Sequence, residues 1–371
     1  FFLLEDSQGI LWIGTMGEGI NIYDRQQDGF IHYRHQNDDP GSISNDYVNS
    51  IYEDQEGTVW FATTDQLSRF DRHQQKFLRQ PILSSQAPEL TSQKIWSLYE
   101  DSKAGLWIGT ENGLTYIDPQ SGDTLEYQHD SSDPYSLSPG GVTAITEDPQ
   151  GTLWVGSNSN GINRLDRSQA IFTHYERSVN NPLLFREDHI NTIYQDRSGV
   201  LWFGTSSGLT RYEPQQDEYQ HFYISSDSTD RLTRDNITTI LEDSQGLLWI
   251  GTHGNGLLHF DRQTGSFHQA MPATAGEQGI SAASTYSLHE DSQARLWIGT
   301  EGSGLLLYER QEAAFRAFDN EDDLSGENIY LILEDQNGDL WLNTEAGVSR
   351  FVLANDSQRA HIENYDISSE Q

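Results

Sequence analysis

Cysteine is absent from the 371 residues, so the chain has no disulfide framework and no thiol chemistry. A chain of this length can bury enough apolar surface without such staples. Lysine is nearly absent, occurring only at Lys76, Lys94 and Lys103. The 22 basic residues face 57 acidic ones, a formal charge of −35. A surface this acidic repels phosphate backbones and anionic lipid, so neither nucleic acid nor a membrane surface is an expected partner. Solubility or a salty habitat accounts for the charge; calcium uptake by clustered carboxylates is the sharper alternative. No apolar run approaches the roughly eighteen residues a membrane span needs, and no direct membrane insertion is expected of this segment. An initiator Met and a signal peptide are missing too. The chain opens on the strand-like Phe1-Phe2-Leu3-Leu4 and stops after Ile367-Ser368-Ser369-Glu370-Gln371, so the expectation is a fragment of a longer protein. No segment sustains a 3.6-residue apolar period over three turns, and helix content should be close to nil.

What is present is a phrase, Glu5-Asp6-Ser7-Gln8-Gly9-Ile10-Leu11-Trp12-Ile13-Gly14-Thr15, restated along the chain. Eight of the nine tryptophans sit in a copy: Trp12, Trp60, Trp107, Trp154, Trp202, Trp249, Trp297 and Trp341, spaced 44 to 48 residues apart. Such a period marks a propeller, solenoid or array. Six residues before each Trp stands an Asp: Asp6, Asp54, Asp101, Asp148, Asp196, Asp243, Asp291 and Asp335. Three residues before it stands Gly in six copies and Ala104 or Ala294 in the other two, whose turns should be slightly strained or differently shaped. Because stacked repeats meet through their shared positions, the repeated Asp and Trp are read as structural, the Asp holding a turn and the Trp plugging the gap between units.

One unit shows the fold. Val48-Asn49-Ser50-Ile51-Tyr52-Glu53 is a β-branched and aromatic strand, and Asp54-Gln55-Glu56-Gly57 has the Asp-first, Gly-last composition of a type I turn. The chain returns through Thr58 to Thr63, then through strands at Leu67 to Asp71 and Lys76 to Arg79. Four antiparallel strands per unit is a propeller blade. The fold class is therefore all-β, a β-propeller of four-stranded antiparallel blades in eight repeats. The blades run approximately 1–47, 48–94, 95–141, 142–189, 190–236, 237–284, 285–328 and 329–371, within one repeat domain. One eight-bladed ring is the expectation; the alternative is a seven-bladed ring plus one blade of a neighbour.

The pattern IxxIxEDxxGxLWIGTxxGL, with its Tyr/Phe-Asp pair and aromatic fourth strand, resembles the two-component regulator propeller repeat. The linkers Asn37 to Ser44 and Asp130 to Ser138 resemble that family's blade connections. The resemblance implies an extracytoplasmic sensor region, periplasmic or on the outer side of the inner membrane. It implies a parent with an adjoining propeller and β-sandwich, one membrane span, a cytoplasmic output such as a histidine kinase or diguanylate cyclase, and a homodimeric receptor. It also implies a small extracellular ligand, often an oligosaccharide.

A ligand is expected where the copies differ. The loop between the second and third strands is longer and richer in glycine in four units: Gly17 to Gly19, Asn158 to Gly161, His253 to Gly256 and Glu301 to Gly304. Eleven residues before each Trp, at the start of the first strand, the series reads Phe1, Asn49, Trp96, Thr143, Asn191, Thr238, Tyr286 and Tyr330. Aromatic faces with nearby amides suit sugar rings, whose axial hydrogens stack while their hydroxyls need donors and acceptors. The candidate ligand-binding residues are Asn49, Trp96, Asn191, Tyr286, Tyr330, His253 and Glu301; the alternative is that the strand-start side chains merely fill the channel mouth. The twelve histidines show no pair at ligand spacing on one strand face and are read as solvated, so no metal and no cofactor is expected. A carboxylate precedes the turn in seven blades, so no blade stands out as a catalytic centre, and no enzymatic activity is expected of this chain. An interaction or dimerisation scaffold is the second reading and a propeller lyase or glycosidase the third, the last needing His, Glu and Arg together.

Overall fold

The computed structural model describes residues 2–64, 66–80, 94–118, 121, 123–158, 160–175, 189–206, 208–222, 236–271, 284–312, 314–319, 322–353 and 360–366. Phe1 and the tail from residue 367 lie outside the described residues. Within them are eight four-stranded antiparallel sheets, each with its strands in sequence order, and no α-helix. This is the all-β architecture of propeller blades. The chain divides into two compact units, Phe1–Ile190 and Asn191–Gln371. Blades 1 to 4 occupy residues 2–33, 48–80, 95–128 and 142–175; blades 5 to 8 occupy 190–222, 236–271, 285–318 and 329–365.

Blade 2 is built from Val48–Glu53, Val59–Thr63, Leu67–Asp71 and Lys76–Gln80. The second strand is the most buried element of every blade, as in Leu106–Thr110, Leu201–Thr205 and Leu296–Thr300, where every residue is buried. That follows from sheet faces packing on both sides of it. Seven of the eight repeated tryptophans are buried; Trp60 is half-buried. The glycine two residues after the Trp lets the neighbouring blade approach. A Cβ on Gly204 would meet Ile237 Cγ2 of the next blade at 2.6 Å, and one on Gly251 would meet Thr285 Cγ2 of the next blade at 2.9 Å.

Each repeated Asp meets its Trp. One carboxylate oxygen accepts the Trp indole N–H at 2.7–3.0 Å in all eight blades. The other oxygen accepts two turn amides, as Asp243 does from Gln245 and Leu247. The glycine closing the turn is left-handed, for example Gly57 at φ 80°. Ala104 and Ala294 take the same conformation, φ 62° and 60°, and make the same amide bond back to the Asp carbonyl, 2.9 and 2.8 Å. These two turns therefore keep the common shape, and the alanines bear the steric cost that glycine avoids.

Two further sets of bonds join successive blades within each unit. The carboxylate ending the first strand of one blade caps the turn of the blade before it: Ser7 N donates to Glu53, Gln55 N to Glu100, Ser102 N to Glu147, Arg197 N to Glu242, Ser244 N to Glu290 and Ser292 N to Glu334, at 2.5–3.0 Å. An arginine just after the third strand then reaches back to the preceding blade's Asp: Arg72 to Asp6, Arg167 to Asp101, Arg262 to Asp196 and Arg310 to Asp243, at 2.6–3.0 Å. The carboxylate that recurs before each turn is thus a seam between blades.

Candidate ligand-binding site

The first strand of most blades carries a β-bulge near its start. In blades 2, 3, 4, 6, 7 and 8 the ladder skips the residue eleven before the Trp: Asn49, Trp96, Thr143, Thr238, Tyr286 and Tyr330. A bulge re-aims the extra side chain, and what happens next depends on its chemistry. Amides and hydroxyls bond to the next blade's backbone. Asn49 Nδ2 donates to Ile95 O at 2.9 Å, Asn191 Nδ2 to Ile237 O at 2.8 Å, and the Thr238 hydroxyl to Thr285 O. Asn49 and Asn191 therefore stitch blades together with donors a ligand would need. Trp96 makes no such bond among the described residues, and the adjacent Ser97 hydroxyl makes it instead, to Val142 O at 3.2 Å. The Trp96 ring lies on Gly141, whose Cβ position is 2.4 Å from it, with the Lys94 ammonium 5.9 Å from its centroid.

The two tyrosines converge. The rings of Tyr286 and Tyr330 lie 5.4 Å apart at 40°, and Tyr330 is 43% exposed. The Glu301 carboxylate lies near the Tyr286 hydroxyl; burial first, then that charge, pushes the hydroxyl above its ordinary range. Glu301 stands in the loop between the second and third strands of blade 7, where its own amide donates to Ser284 O at 3.0 Å. His253, from the corresponding loop of blade 6, lies 3.9 Å from the Glu301 carboxylate, and its Nδ1 is 2.8 Å from Ser284 Oγ. Of the candidates, His253, Tyr286, Glu301 and Tyr330 thus form one cluster. Trp96 and Asn49 lie in the other unit, and Asn191 is bonded at its own seam.

The glycine-rich loop makes the cluster possible. Gly302 and Gly304 are left-handed, φ 75° and 68°, and their amides donate to Glu327 O at 3.1 and 2.9 Å. A Cβ on Gly304 would stand 2.2 Å from Phe318 O, so only glycine fits. Glu345 holds the segment before blade 8 by accepting the Glu327 and Asn328 amides at 3.0 and 2.9 Å. No lysine or arginine bonds to the four cluster residues among the described residues. Two aromatic rings, a carboxylate and an imidazole together offer stacking and hydrogen bonds without a cation.

Comparison with known proteins adds the family. The profile described as Two component regulator propeller matches residues 1–17, 42–65, 89–112, 136–159, 185–207, 231–254 and 323–346, one segment in each blade except the seventh. The chain belongs to that family. Its blade 7, the unmatched one, carries Tyr286 and Glu301. Among solved structures, the chain is similar to the extracellular domain described as that of a hybrid two component system from B. thetaiotaomicron, at 20% identity and a TM-score of 0.41, covering 99% of this chain and 55% of that one. It is similar to the Dos1 propeller at 12% identity and a TM-score of 0.66, covering 96% and 93%. The dihydro-heme d1 dehydrogenase NirN matches at 11% identity and a TM-score of 0.64, covering 98% and 76%. The Dos1 and NirN likenesses concern the fold alone. This propeller chain spans about half the length of the first of these relatives. No curated protein resembles the sequence closely enough to count as a match.

Several histidines do structural work that a solvated reading does not capture. His35 Nδ1 lies 2.8 Å from Ile43 O and His129 Nδ1 3.0 Å from Leu137 O, bracing two linkers whose Ile43 and Leu137 are buried. His259 and His268 stack across neighbouring strands at 5.1 Å. Burial first and His268 second depress the His259 pKa, which favours the neutral ring. The seam arginines also escape sequence inspection, because Arg72 and Asp6 are 66 residues apart.

Proposed function

We propose that this propeller is the extracytoplasmic sensing region of a transmembrane signal-transduction receptor, and that it binds a neutral oligosaccharide at His253, Tyr286, Glu301 and Tyr330. Membership of the regulator propeller family supports the sensory role. The observation that carries the site is the paired rings of half-buried Tyr286 and exposed Tyr330 with the Glu301 carboxylate near them. Ring hydrogens of a sugar stack on tyrosine faces while its hydroxyls bond to the carboxylate and imidazole. A neutral sugar is preferred to a uronate because Glu301 and the net charge of −35 repel anions. Binding is favoured over lyase chemistry because His253 and Glu301 meet without an arginine to neutralise a substrate carboxylate, and Tyr286 is held protonated. The parent's output domain, a histidine kinase or diguanylate cyclase, would read the bound state through a two-state dimer whose forms bind ligand differently.

Calorimetry with a panel of neutral glycans tests this reading. Binding is expected, and Tyr330→Ala, an exposed position safe for the fold, should weaken it about tenfold through lost stacking. Glu301→Gln should weaken it as well. No binding by any glycan, or full binding by both variants, would remove this site from consideration.

A further inference from the structure

The seam between blades 2 and 3 departs from the others. Six seams within the two units join a turn Asp to the blade that follows. At four of them the Asp takes an arginine from that blade, and at the seam of blades 7 and 8 the Asp291 carboxylate takes Arg295 from its own turn at 2.5 Å. At the sixth the chain reads Asp118-Pro119 where blades 2, 4 and 6 read Asp-Arg, and no cation bonds to Asp54 or Glu100 among the described residues. Blade 5 also has a proline at that position, Pro214, and Gln195 where the other blades carry the carboxylate before the turn. Blade 3 lost the cation and kept the anion.

The space the guanidinium would fill is open. A cavity of about 190 Å³ is lined by Asp54, Trp60, Arg69, Glu100 and Asp118, among others; Arg69 comes from the third strand of blade 2 itself and, among the described residues, bonds to neither Asp54 nor Glu100. Trp60 is the one repeated Trp left half-buried. In two equivalent seams the arginine also covers the Trp face, Arg167 over Trp107 at 5.4 Å and Arg262 over Trp202 at 5.7 Å. Carboxylates flanking a half-buried indole form the receptor that those blades use for an internal arginine. We propose that the cavity between blades 2 and 3 binds an alkylguanidinium from outside the chain, stacked on Trp60 and hydrogen-bonded by Asp54 and Glu100.

Burial and the neighbouring Asp54 and Asp101 charges raise the Glu100 pKa, partly offset by donors from Gln55 and Tyr52. A carboxylate in that state gains from an arriving cation.

The test is calorimetry on the whole chain with methylguanidinium, with acetyl-Gly-Arg-Gly-amide, and with the same peptide carrying citrulline, which has the same shape without charge. Both cations are expected to bind and citrulline not to. Tighter binding by the peptide than by methylguanidinium would identify a protein side chain as the source, and equal binding a free small cation. Glu100→Gln should weaken binding about tenfold, the loss of one charge-assisted bond. In a spectrum of the indole N–H groups, the Trp60 resonance, assigned by Trp60→Phe, should move on titration, while those of Trp107 and Trp202, already covered, stay in place. Equal binding of citrulline, no binding of either cation, or movement of the covered indoles instead of Trp60 would overturn the proposal.

Discussion

Asp243 is fully buried, and its two oxygens serve four donors: the Gln245 and Leu247 amides on one, the Trp249 indole and Arg310 guanidinium on the other. Burial works against its charge, but the indole, the guanidinium and the amide outweigh burial and hold the carboxyl below its ordinary range. Asp196 is lowered in the same way, its burial outweighed by Ser198, Trp202 and Arg262. A carboxyl whose folded pKa lies below its unfolded value contributes its stabilisation fully above about pH 4 and loses it as pH falls through the folded value. Asp243→Asn should therefore cost about 3 kcal/mol at pH 7, the low end for breaking a buried pair, because Arg310 keeps Glu290 at 2.9 Å. Urea unfolding of the wild type and the variant at neutral pH and below pH 4 checks this. The gap should narrow in acid; an unchanged gap would mean that the lost shape, not the lost charge, was responsible.

At the level of the blade, the turn after the first strand is the repeated device, and its two alanines are the places where its composition conflicts with its geometry. Ala104 and Ala294 hold φ near 60° with the same bonds as their glycine counterparts. Ala104→Gly and Ala294→Gly should each stabilise the chain by up to about 1 kcal/mol, because the relief of the left-handed penalty exceeds the added chain entropy. Thermal unfolding reads this directly, and a fall in the midpoint would contradict it. The same turn shows how much of the fold the sequence reveals. Asp, Gly and Trp recur at fixed short spacing and encode local geometry, so strands, turns and blades can be read from the chain. The bulge at Asn49 or Tyr286 cannot, since nothing in Val48-Asn49-Ser50 marks a skipped ladder position. Nor can the difference between an amide that bonds to the next blade and a tyrosine that meets another ring. The cluster was legible only as separate residues: His253 and Glu301 meet because loops of consecutive blades adjoin, 48 positions apart in sequence.

Across the whole molecule, two electrostatic effects of opposite salt response compete. The arginines Arg72, Arg167, Arg262 and Arg310 are set into seams, their side chains only 20–33% exposed, so salt screens those pairs weakly. The remaining balance of 57 acidic against 22 basic residues is self-repulsion spread over the surface, and salt screens it readily once the Debye length falls to about 10 Å near 0.1 M. The melting temperature should therefore rise as sodium chloride increases from about 10 mM to about 300 mM, over which the screening length shrinks severalfold. A fall would mean that the ion pairs, not the repulsion, govern stability. The identity of the cation separates screening from binding. Among the described residues no three His, Asp or Glu side chains gather to hold a metal. Calcium chloride at matched ionic strength should therefore raise the melting temperature no further than sodium chloride does, whereas a larger rise that saturates at low calcium would reveal specific uptake by the acidic surface.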